Sequence, residues 1–74
     1  MEATFMTYNK RVLIQFEQMF VEGEIIIRNK FDKIIHKQKI KNKNFVMIEL
    51  NEIINQLSIE ILDNIENSKV IKSI

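Results

Sequence analysis

The chain has no cysteine, no proline, no tryptophan, one glycine and one histidine. Each absence removes a class of explanation. Without cysteine there is no disulfide framework and no thiolate metal site, and a reducing, cytoplasmic setting is expected. A single glycine cannot build a phosphate-cradling loop, which needs several. The one histidine, His36, follows Asp32 by four residues, so a helix would place both on one side. That makes two ligands where a structural zinc takes four, and no metal or cofactor is expected. Nucleophilic catalysis needs an activated side chain with a base in reach. Ser58, Ser68 and Ser73 all lie far from His36 in sequence. No enzyme activity, no catalytic residue and no small-molecule substrate are therefore expected. No run approaches the roughly 18 apolar residues of a membrane span. The opening MEATFMTYNKRVLIQF lacks a basic segment followed by a clean apolar run, so no secretory signal is expected.

What is present is isoleucine, lysine and asparagine, which make up 32 of the 74 residues. Their codons are AT-rich, so part of this composition reflects the coding genome, as in many phage and plasmid accessory proteins. Seventy-four residues allow one domain, taken as 1–74. A core this small needs tight packing or association.

The longest periodic stretch is Val46 to Ile65. Val46, Leu50, Ile53, Ile54, Leu57, Ile61 and Ile65 recur at offsets of three and four, which at 100° per residue forms one apolar stripe. Glu49, Glu52, Gln56, Glu60 and Asp63 fall outside it. The spacing predicts a helix over 45–66. Phe45, Ile48, Ile59 and Leu62 form a second apolar line, on the opposite side of that helix, suited to a neighbouring molecule. Upstream, Phe5, Tyr8, Val12, Phe16, Met19 and Phe20 predict a helix over 5–22. Ile27, Phe31, Ile34 and Ile35 predict another over 24–39. Gly23 reads as a left-handed helix cap between the two, and the polar segment 40–44 as a loop. Asn51 and Asn55 read as ordinary polar positions on the last helix. A competing pattern is visible: Val12, Ile14 and Phe16 alternate with Gln15 and Glu17, as in a strand.

These elements predict an all-α fold, a small three-helix bundle completed by self- or hetero-association. Its core would be Phe5, Tyr8, Val12, Phe16, Phe20, Ile27, Phe31, Ile34, Leu50, Ile54, Leu57, Ile61 and Ile65. The alternative is an α+β fold, a β-hairpin at 12–28 turning at Gly23 and packed on a C-terminal helix.

Charge is uneven along the chain. Residues 1–27 carry −2, residues 28–43 carry +6 and residues 44–74 carry −3. The basic patch comprises Arg28, Lys30, Lys33, Lys37, Lys39, Lys41 and Lys43. A solvated face is its simplest reading, and phosphate binding its functional one. The expected function is a non-catalytic protein–protein interaction module, an assembly subunit or an inhibitor that occupies a partner's surface. Phe45, Ile48, Ile59 and Leu62 are its expected contacts, with a protein partner or a homodimer as occupant. The alternative is a small nucleic-acid-binding regulator using segment 28–43.

Overall fold

The computed structural model describes residues 2–51 and 56–74. Among them there is no helix. Five antiparallel strands form one sheet: β1 Ala3–Tyr8, β2 Arg11–Arg28, β3 Ile34–Glu49, β4 Ser58–Asp63 and β5 Ser68–Ser73. The three-helix bundle is therefore overturned, and with it the helices over 5–22, 24–39 and 45–66.

β2 organises the sheet. Its first half pairs with β1 and its second half with β4 along one edge, while β3 pairs along the other edge. β5 adds to β4. Eighteen residues at about 3.3 Å each would span about 60 Å if straight. The longest dimension of the whole molecule is 31 Å, so β2 has to fold back. The bend lies where the β2–β3 register slips: Gln15 faces Phe45, but Phe20 faces Lys43. Five steps along β2 answer two along β3, and such an excess bends the longer strand. Phe16 and Phe20 stack inside the bend, ring centroids 4.8 Å apart.

The bend brings the two arms of the sheet face to face as a half-barrel. Val12, Ile14, Val46 and Ile48 from one arm share a single buried cluster with Ile25, Ile27, Ile40, Ile59 and Ile61 from the other. Side chains alternate across a strand, so these positions bury one face of each strand in the period-two manner. Burial on the core face reverses parity along β2, from Val12, Ile14 and Phe16 to Ile25 and Ile27, because the bend intervenes.

Turns are made by polar residues that tolerate left-handed backbone. Asn9 (φ 54°), Asp32 (φ 64°) and Asn67 (φ 56°) sit in the β1–β2, β2–β3 and β4–β5 connections. Asn29 Oδ1 accepts from the N–H groups of Phe31 and Lys33, and Asp63 Oδ1 from those of Ile65 and Glu66. These side-chain acceptors replace the ladder where the chain reverses.

Several sequence expectations are corrected. Segment 40–44 is not a loop: it lies inside β3, and Ile40 is buried. Gly23 neither caps a helix nor turns a hairpin, since β2 runs through it. The alternative fold fails on the same ground, and its C-terminal helix is replaced by β4 and β5. Tyr8, Phe31, Ile34 and Ile65, expected in the core, are exposed. Phe5 is half-buried against the core. Val12, Phe16, Phe20, Ile27, Leu50, Leu57 and Ile61 are buried. Ile53, Ile54 and Asn55 lie outside the described residues, and Asn51 is exposed.

Candidate interaction surface

Of the four residues expected to contact a partner, two are core. Ile48 is 2% exposed and Ile59 fully buried, packed within the central cluster. Phe45 remains exposed and Leu62 half-buried, on different arms of the sheet. The four therefore form no common surface. In a helix, positions 46 and 48 diverge by about 200°; in a strand they share a face.

The outer face of the first arm carries what that expectation missed. The register sets Met6 opposite Leu13, and Leu13 opposite Met47. An apolar row thus crosses β1, β2 and β3, with its two methionines 54% and 55% exposed. Phe45 stands beside Met47 on the same face of β3, opposite Gln15. Tyr8 stands beside Met6 on β1, opposite Arg11. Gln15 Nε2 donates to the Asn44 carbonyl at 3.1 Å, binding the β2 and β3 edges of this face together. Contiguous exposed apolar surface of this kind marks an interaction site more often than isolated surface residues do. Methionine adapts its shape to a partner better than a branched side chain. The sequence signal for the row was the pair of short apolar runs TFMTY and VLIQF around Asn9-Lys10, a two-residue connection whose asparagine accepts positive φ.

The basic residues divide into three groups. Lys37, Lys39, Lys41 and Lys43 alternate along β3 and are all exposed, so a strand lines them up where a helix would have scattered them. Glu24 faces Lys39, and Glu22 faces Lys41, which offsets part of their field. Lys30 and Lys33 lie in the β2–β3 connection, where Lys30 Nζ stands 5.3 Å from the centroid of the Phe31 ring. Arg28 is committed elsewhere: its Nη1 donates to Glu60 Oε1 at 2.7 Å, and its Nε lies 3.8 Å from Asp32. Lys69 Nζ approaches the other Glu60 oxygen at 3.8 Å. This outer-face network links β2, β4 and β5 beside the buried Ile26, which points away from the main core.

His36 Nε2 lies 3.0 Å from Gln38 Oε1, and the exposed Asp32 carboxylate lies 3.8 Å from Arg28 Nε. Among the described residues no group of three or more His, Cys, Asp or Glu converges on a point, and no helix is long and apolar enough to cross a membrane. A concavity of about 460 Å³ lies at the bend and is lined in part by Glu2, Phe16, Glu17, Met19 and Val21.

Fold and surface together define a small antiparallel β half-barrel with an open apolar sheet face. No protein-family model, no curated protein and no solved structure matches this chain.

Proposed function

We propose that this protein is a non-catalytic protein-binding module, and that it works by laying the outer face of its first arm against a partner protein. The supporting observation is the row Met6–Leu13–Met47, with both methionines exposed and Leu13 half-buried between them, flanked by Phe45 and Tyr8. Aromatic residues and methionine are the types enriched where protein surfaces meet. The pairing of His36 with the Gln38 side-chain amide supports the non-catalytic part of this reading. A subunit of an assembly and an inhibitor both act in this way.

The test is affinity capture from the native host's lysate, with and without nuclease, comparing the natural chain with Met47→Lys. Met47 is exposed, so its replacement leaves the core intact. The expected result is a discrete protein that survives nuclease and is at least about tenfold depleted by Met47→Lys, a loss of about 1.4 kcal/mol. Equal capture by both chains would remove the face from consideration.

A second reading, binding to nucleic-acid phosphates, is favoured by the four aligned lysines of β3. Phosphate binding weakens steeply with salt. Captured material lost to nuclease, with binding unaffected by Met47→Lys, would favour it. The acidic residues opposite Lys39 and Lys41 make it the weaker of the two.

A further inference from the structure

The sheet leaves unpaired edges, among the described residues, on β1, β3 and β5. An open edge invites another strand, and proteins commonly guard such edges with lysine. β3 is guarded by Lys37, Lys39, Lys41 and Lys43, and β5 by Lys69 and Lys72. β1 is different. Its sequence, ATFMTY, has no charge and no proline, and four of its six residues favour strands.

We propose that two copies of this chain pair through the β1 edges, antiparallel about a two-fold axis at Met6. This goes beyond the reading of the outer face as an interface, since edge pairing lies in the plane of the sheet and extends that face across a second copy. Two observations converge on that register. First, faces must match: only registers that set even residues opposite even residues keep Thr4, Met6 and Tyr8 on the outer face. Second, a two-fold at Met6 sets Met6 against its own copy. The apolar row then continues as Met47–Leu13–Met6 into its mirror sequence across the second molecule. The strand is thus complementary to itself in shape, as an isologous interface requires.

Backbone geometry agrees. The Glu17 N–H donates to the Glu2 carbonyl at 3.1 Å, so the even residues of β1 turn their backbone groups toward β2. Ladders alternate, so Ala3, Phe5 and Thr7 present theirs to the open edge. In the proposed register Phe5 and Thr7 exchange those hydrogen bonds between copies. Met6 falls in the non-bonded pair, where Cα atoms approach to about 4.5 Å and side chains meet most closely. Thr4 then faces Tyr8, a favourable cross-strand pairing of β-branched and aromatic side chains.

The absence of cysteine makes the test direct. Met6→Cys is made and treated with a mild oxidant, alongside Thr4→Cys, and the mass of the natural chain is measured by sedimentation at tens of micromolar. The proposal expects a dimer, and a disulfide-linked dimer from Met6→Cys, whose Cα separation lies within disulfide range. Thr4 and its copy are four residues apart along the ladder, about 14 Å, so Thr4→Cys stays uncrosslinked. A lysine at the axis gives a second reading: Met6→Lys sets two like charges directly opposite each other and weakens the dimer at least about tenfold. A monomer, equal cross-linking at both positions, or a dimer unchanged by Met6→Lys would overturn the proposal. A monomer whose partner capture is still lost on Met47→Lys would leave the protein-binding reading standing, because Met47 lies two strands from the β1 edge.

Discussion

At the scale of single residues, Gly23 illustrates how far a residue's meaning depends on its neighbours. It is the only glycine, yet the left-handed positions among the described residues are Asn9, Asp32, Asn42, Gln56 and Asn67. Gly23 is required for space rather than for conformation. A Cβ there would run into the Leu62 carbonyl oxygen of β4 and stand 2.6 Å from the Phe20 ring. The ring can turn, but the carbonyl belongs to the paired strand and cannot. Overpacking typically costs about 1–3 kcal/mol and more where backbone must shift. Gly23→Ala is accordingly expected to cost at least about 3 kcal/mol in urea denaturation. A loss under about 1 kcal/mol would show that β4 can move away from β2 at little cost.

At the scale of elements, the second arm is joined across strands by charge. Arg28 on β2, Glu60 on β4 and Lys69 on β5 form one network, with the Glu60 side chain only 13% exposed and Arg28 28% exposed. Hydrogen bonds to charged groups contribute about 1.5–3 kcal/mol, less where water screens them. Glu60→Ala is expected to lower stability by about 1–2 kcal/mol, seen as a lower denaturation midpoint at unchanged slope. No change in midpoint would place the pair among the many surface contacts without net effect. The lysines of β3 act differently. They line an edge strand, facing Glu22 and Glu24, and deny that edge to another chain.

At the scale of the whole molecule, a β2–β3 hairpin longer than the protein is wide folds over itself, and one cluster of mostly isoleucine and valine fills the fold. Cores of β-branched residues suit pleated surfaces. The far-ultraviolet circular dichroism is expected to show a single β-type minimum without the paired helical minima, in keeping with five strands and no helix among the described residues. Paired helical minima would overturn the half-barrel outright. Such long-range pairing also requires loop closure before any contact is gained, which slows folding relative to a helical chain of equal length.

The helical expectation fails for one physical reason, visible at Val46–Leu50 and Leu57–Ile61. An offset of four lies on one face of a helix and on one face of a strand alike. Val12, Phe16 and Phe20 share that ambiguity. The residues that separate the two readings are Ile14, Ile48 and Ile59, halfway between such pairs, and all three are buried. Taken as a second side of a helix, Ile48 and Ile59 looked like a docking surface; taken as strand, they complete the core. The surface row of Met6, Leu13 and Met47 was hidden for a related reason, since its members are distant in sequence and meet only through the register. The order and kinds of residues alone exclude disulfides and set the uneven charge and most of the residues available for a core. Which face each of them occupies depended on backbone pairing between distant segments. That pairing is a property of the tertiary structure, because a hydrogen-bond ladder exists only once both strands are in place.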